Sequence, residues 1–259
     1  MIDNGTVALA PADLAARLDR LPLSRFHRRL MAALAFGFFF ELADINTFSY
    51  AAPGLKDSLG LSVDNIAVIT SGGFFGMFVG AAGGGRLADL FGRRRTLLAA
   101  VSWFSVWSLA NAAAWSVGSL LATRLLTGVG LGAMTVIAIT YLSEVVPSAR
   151  RGRMQSAVLA AGLLGIPVMA FTARGVVPLS DDSWRLVFAF GSLGFLALLL
   201  IRRLPESPRW LLSHRGPDEA ETALRAVEAE VAEETGPLPP PERAEVGRER
   251  SHAFAELFG

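Results

Sequence analysis

Four residues could do chemistry where a polar group is hardest to place. Glu41, Asp44 and Asn46 interrupt one long apolar run, and Arg124 interrupts another. An ionisable side chain deep in a membrane span costs about 2.5–3.5 kcal/mol on insertion scales, so it faces a wet cavity or a partner. Glu41 and Asp44 are three residues apart and share one face of a helix. If the run 30–52 crosses outward and the run 120–142 crosses inward, Asp44 lies roughly 12 Å and Arg124 roughly 6 Å below the same surface. A long arginine can bridge that difference. Such a pair has two readings: a structural buried ion pair, or a carboxylate that takes up and releases a proton. Desolvation favours the neutral form of a membrane carboxylate, and the spacing leaves both readings open.

Other chemistries find no support. The chain has no cysteine, which excludes disulfides, zinc–thiolate sites and thiol catalysis, and it contains neither HExxH nor GxSxG. His27, His214 and His252 all lie outside the apolar runs. No enzyme, cofactor, metal site or nucleic-acid partner is expected. Gly128, Gly130 and Gly132 follow Arg124 and look like a phosphate loop, but no strand precedes them and they sit inside an apolar run, so they read as helix contacts. Gly72, Gly76, Gly80 and Gly84 recur every four residues, a smooth stripe that lets another backbone come close. Gly165 and Pro167 mark a kink.

The elements that must hold these residues are membrane spans. Apolar residues make up 52% of the 259 and charged residues 18%, and the mean hydropathy is +0.44. The charges cluster, leaving apolar runs with few charges at 30–52, 66–85, 96–115, 120–142, 157–177 and 184–201, each near the length that crosses a hydrocarbon core of about 30 Å. The fold class is therefore an all-α membrane protein of six transmembrane helices. Arginines crowd alternate loops: 17–29, 86–95, 150–153 and 202–209 are basic, and the loops between them carry few basic residues. That alternation puts both termini in the cytoplasm. Three parts follow: a cytoplasmic segment 1–29, a six-span bundle 30–204 and a tail 205–259. The first 204 residues hold 18 basic and 11 acidic residues, and the rest 6 basic and 12 acidic. The tail reads as a solvated segment with a polar helix from Pro217 to Glu234, a linker at 236–241 and a weakly amphipathic end at 251–259.

Four motifs now carry a resemblance. The loop Gly85-Arg86-Leu87-Ala88-Asp89-Leu90-Phe91-Gly92-Arg93-Arg94-Arg95 resembles the signature G-x-L-A-D-R-x-G-R-R/K of the major facilitator superfamily, with Leu90 where the family has a basic residue. Arg124 with Gly128, Gly130 and Gly132 is similar to the family's fourth-span motif. The stretch from Tyr141 through Glu144 and Pro147 to Arg151 resembles the loop after it, and Pro205-Glu206-Ser207-Pro208-Arg209-Trp210 resembles the sugar-porter branch. Glu41-Leu42-Ala43-Asp44, with Pro53 nine residues on, is similar to the D-G-Y-D…A-P pattern of aromatic-acid/proton symporters, with Glu for the first Asp.

The resemblance implies 3+3 inverted repeats forming one half of a twelve-helix transporter. It implies proton-coupled movement of a small organic solute, such as an organic or aromatic acid or a sugar-like metabolite. Asp44 and Arg124 would take part in coupling, with Glu41 and Asn46 nearby. Asp89, Arg93, Glu144, Arg151, Glu206 and Arg209 would form a cytoplasmic gate network around the signature residues Gly85, Gly92 and Arg94. The expected partners are a solute, protons, the bilayer of an inner membrane, and a second six-helix half or a second copy of the chain. The chain itself is expected to be a truncated half. The alternatives are a half-transporter active as an oligomer and a membrane interaction protein that transports nothing.

Overall fold

The structure, a computed structural model, describes residues 9–242. The expected end of the tail at 251–259 lies outside the described residues. A short helix α1, Pro11–Asp19, precedes α2, Arg25–Leu59. Then come α3, Val63–Phe91; α4, Arg93–Ala112; and α5, Val117–Val145. The fifth crossing is a pair, α6, Arg151–Gly162, and α7, Gly165–Val176, and so is the sixth, α8, Trp184–Ser192, and α9, Phe195–Ile201. Two further helices follow, α10, Pro208–His214, and α11, Pro217–Thr235.

The described residues thus make six crossings. Five are long and apolar enough to span a membrane by length and composition alone. The remaining one, α4, opens on three arginines and carries serines, tryptophans and one asparagine that lower its hydropathy. It is nonetheless held between its neighbours, along α5 and α8. The helices overrun the apolar runs. At 1.5 Å per residue α2 is roughly 52 Å long, well beyond the hydrocarbon core, and it continues through Pro53 to a left-handed cap at Gly60.

Local sequence starts the helices. Ser62 and Asn65 form a reciprocal capping box at the head of α3, and Ser116 and Ser119 form another at the head of α5, each satisfying orphan N–H groups of a first turn. Fold symmetry follows from who packs on whom. Three spans per set is an odd number, so the second triplet enters from the opposite side. The second helix of each triplet lies along the first helix of the other: α3 on α5, and α6–α7 on α2. The third helices, α4 and α8, meet each other. This exchange is what a two-fold relation between inverted triplets requires.

Close backbone contact holds α3 to α5. A Cβ on Gly76 or Gly80 would run into the carbonyls of Leu125 or Val129, and one on Gly128 or Gly132 into those of Gly73 or Met77. The stripe therefore interdigitates from both sides. Gly130 faces the other way, against Phe104 of α4. The kink expected at Gly165 is a break at Leu163–Leu164, and Gly165 rests on the carbonyl of Phe39 in α2.

The tail departs from the sequence reading. Among its described residues, helix α11 buries one face instead of standing free in solvent. Ala220, Leu224, Val227 and Val231 of α11 are buried, and so are Leu14 and Leu18 of α1, in one apolar cluster with the base of the bundle. Arg17 straddles Glu228 (2.6 and 2.9 Å) and Glu221 (2.6 Å), Arg20 reaches Glu228 at 2.7 Å, and Arg28 and Arg29 reach Glu234 and Glu230. The acidic helix neutralises the basic flank of the first span.

Candidate functional site

The intramembrane residues converge from three spans. Arg124 Nη1 of α5 donates to Asp44 Oδ1 of α2 at 2.8 Å and lies 3.4 Å from the Asp44 carbonyl. Asp44 is 0% exposed and Arg124 7%. Burial this complete leaves the Asp44 carboxylate only the arginine and a neighbouring hydroxyl for solvation. The second carboxylate oxygen accepts from Ser108 of α4. Gly191 of α8 abuts both groups, where any side chain would collide with Asp44 Oδ2 and Ser108 Oγ.

Glu41 sits a turn away and does not join this pair. It is 2% exposed, its Oε1 accepts from Thr135 of α5, and its Oε2 has no partner among the described residues. Asn46 donates to the Leu42 carbonyl at 2.8 Å within its own helix. Asn46 and Arg124 open on a cleft of about 90 Å³ between α2, α3 and α5, whose wall includes Phe48, Thr70, Phe74 and Met77. Arg124 spends only Nη1 on Asp44, so Nε and Nη2 remain as donors.

Ser108 and Thr135 were not legible as site residues. A signal existed on α4: Ser105, Ser108 and Asn111 recur every three residues down a helix otherwise apolar there, and all three are buried. Asn111 donates to Thr127 of α5 at 2.9 Å.

A second constellation closes the end of the bundle that carries the basic loops. Arg93 forks onto Glu144 of α5 (2.9 and 3.0 Å) and reaches Asp89 at 2.6 Å. Glu206 accepts the backbone N–H of Arg94 at 2.9 Å. It thereby caps α4 from a distance, with a negative charge at a helix N-terminus. Gly92 makes room for it. Its φ of 100° and ψ of 153° belong to glycine, and a Cβ there would press on the Glu206 carboxylate. Trp210 donates to the Asp89 carbonyl at 2.6 Å. Gly85 meets Val136 only at ordinary contact distance. Two residues expected in this network are outside it. Arg151 and Arg209 make no ion pair among the described residues, and the Nε of each is buried without a partner. The carboxylates of the region, Glu144 and Glu206, are already committed to Arg93 and to the start of α4.

The family model of the Major Facilitator Superfamily matches residues 34–249. YyaJ of Bacillus subtilis (strain 168), a protein named for metabolite transport, is 43% identical over 228 residues, 88% of this chain and 51% of its own length. The 4-hydroxybenzoate transporter PcaK of Pseudomonas putida is 33% identical over 249 residues, 95% of this chain and 55% of that protein. The chain spans about half the length of these relatives. A partially occluded, inward-open structure of the xylose transporter XylE from E. coli superposes with a TM-score of 0.73 at 21% identity, over 80% of this chain and 55% of that one. At that identity the likeness speaks for the fold. Matched motifs, paired inverted triplets and a family model over most of its length together make this chain a member of the major facilitator superfamily.

Proposed function

We propose that this chain forms a six-helix half of a proton-coupled transporter that moves a small organic acid across the bacterial inner membrane. The observation that carries the reading is the Asp44–Arg124 pair, its carboxylate wholly buried and its arginine opening onto a cleft. Arg124 stays charged at any physiological pH. Asp44 can lose its charge by binding a proton, and then Arg124 is left without its anion and turns its donors to a substrate carboxylate. The aromatic side chains of Phe48 and Phe74 on the same cleft suit a flat ring. An aromatic carboxylate is thus favoured over a sugar, in keeping with the 4-hydroxybenzoate transporter among the relatives.

The cleft is one wall. Alternating access needs a site enclosed between two moving halves, so the opposing wall comes from a second six-helix unit. The Arg93–Glu144–Asp89 cluster and the Glu206 cap would then be the cytoplasmic gate, with both termini of the chain on the cytoplasmic side. Proteoliposomes containing the chain, with and without a second half supplied in trans, provide the test. Labelled 4-hydroxybenzoate should accumulate only with the second half and only with an inward proton gradient, and xylose should not compete. Asp44→Asn should abolish accumulation above equilibrium while exchange continues. Accumulation that survives in Asp44→Asn sinks the coupling role. Accumulation by the chain alone assigns the second wall to another copy of it.

A further inference from the structure

Asp44 is held at both oxygens, and the second hold leads to another span. The Ser108 hydroxyl that donates to Asp44 Oδ2 also lies 3.2 Å from the carbonyl oxygen of Phe188 in α8. A hydroxyl has one proton to give and two lone pairs. It can serve one of these acceptors at a time. While Asp44 is ionised the carboxylate is the stronger acceptor, and Ser108 turns to it. When Asp44 binds a proton it becomes a donor. Its O–H then points at Ser108 Oγ, and the Ser108 proton rotates to the Phe188 carbonyl. Only hydrogen bonds change, and Ser108 keeps its own proton throughout.

The receiving carbonyl lies in α8, about one turn before the point where the sixth span is interrupted. After Ser192 the α-helical ladder gives way to tighter bonds, Leu193 N–H to Phe190 at 3.0 Å and Gly194 N–H to Gly191 at 3.1 Å, before α9 resumes. Gly191 lies against Asp44 and Ser108, and Gly194 against Phe104 and Ser105. The break is therefore seated on the polar ridge of α4, with backbone rather than side chains in contact. The charged groups around Asp44 do not compete for the hydroxyl. Arg124 of α5 holds the other oxygen, Glu41 on α2 is bound to Thr135, and Arg185 of α8 is turned away to Asp182 and to the carbonyls of Ala112 and Ala114.

We propose that Ser108 is a positioning residue that relays the charge state of Asp44 to the interrupted sixth span, by swinging one hydroxyl proton between the Asp44 carboxylate and the Phe188 carbonyl. The proposal rests on Asp44 as the proton-binding group. The test needs no transport. The chain is placed in nanodiscs with its phenylalanine carbonyl carbons labelled with carbon-13, and infrared difference spectra are recorded across a pH titration. All carboxyls add C=O absorption in acid, so the Asp44 band is the component that grows in wild type and is missing from Asp44→Asn. With it, one labelled amide band should move to lower frequency as its carbonyl gains a hydrogen bond. Phe188→Leu should remove that band from the labelled region. Ser108→Ala should keep the carboxylic band and lose the amide change, and Ser108→Thr should restore it. A wild-type carboxylic absorption from which Asp44→Asn removes no component overturns the reading of Asp44. A wild-type Asp44 band that titrates with no labelled amide change, or an amide change that persists in Ser108→Ala, overturns the relay alone.

Discussion

A buried aspartate in a membrane keeps its counter-ion or gives up its charge, because the bilayer offers it no third source of solvation. Asp44 has Arg124 and Ser108, whereas Glu41 has one threonine and a bare oxygen. The two carboxylates share a helix face and differ in everything around them. Glu41→Gln should therefore lower accumulation by a few-fold at most, against its abolition in Asp44→Asn, when the two are compared in one uptake assay. The reverse order of effects would exchange their roles. At the other end of the bundle Gly92 is constrained twice, by its backbone angles and by the Glu206 carboxylate. Gly92→Ala should cost about 1–3 kcal/mol, seen as a lower unfolding temperature in detergent. Glu206→Gln, which keeps the shape and an acceptor oxygen, should cost less.

Two elements are defined by surfaces that composition conceals. The α3–α5 seam brings carbonyls onto glycines from both sides. Helices in lipid gain little from hydrophobic burial against each other, so close backbone contact is what holds such a seam. Gly76→Leu would drive a side chain into the Leu125 carbonyl and should abolish folded yield, whereas Gly118→Leu, in open space, should be neutral. Fluorescence-detected gel filtration of the two variants checks this. The α1–α11 clasp is the second case. Partial burial pushes the Glu228 carboxyl up, but hydrogen bonds from Arg17 and Arg20 outweigh it and hold it below the usual range. Glu221, under the same opposition, is also lowered by Arg17 and Arg225. Carboxyls with depressed values stabilise the folded state above their unfolded value of 4.5, and that support is lost as pH falls through the lowered values. Docking of α1 should thus be flat from pH 8 to pH 5 and weaken only in stronger acid. Glu228→Gln should loosen it at neutral pH by about 1.5–3 kcal/mol. Hydrogen exchange of residues 11–19 reads both.

For the whole molecule the charge pattern makes one claim about direction. The segments 17–29, 86–95, 144–153 and 202–234 meet at one end, through Asp19 and Ser148, Arg93 and Glu144, Arg94 and Glu206, and the α1–α11 pairs. Arg185, bound to the carbonyls of Ala112 and Ala114, marks the other end. The arginine-rich end should be cytoplasmic. Reporter fusions after Arg95 should then read as cytoplasmic and fusions after Trp115 as periplasmic. A reversed result at either point breaks the six-crossing topology.

Apolar runs of membrane length, the alternation of basic loops and the rarity of ionisable residues within the runs were enough to set the number of spans and to single out Asp44, Glu41 and Arg124. Those are one-dimensional signals, since the bilayer penalises each charge by depth whatever its neighbours are. The ion pair itself joins residues 80 apart in the chain, and the sequence could only bound it by matching depths. What needed the tertiary structure was every choice among equals. Serines on α4 are interchangeable in sequence until α2 and α8 close on one of them. Glu206 becomes a helix cap because Gly92 leaves it room, and that leaves Arg151 and Arg209 outside the network their motifs suggested. An acidic helix looks solvated until its partner is found, and α11 finds α1 some 200 residues upstream, where buried leucines and five arginines of the flank make docking more favourable than water.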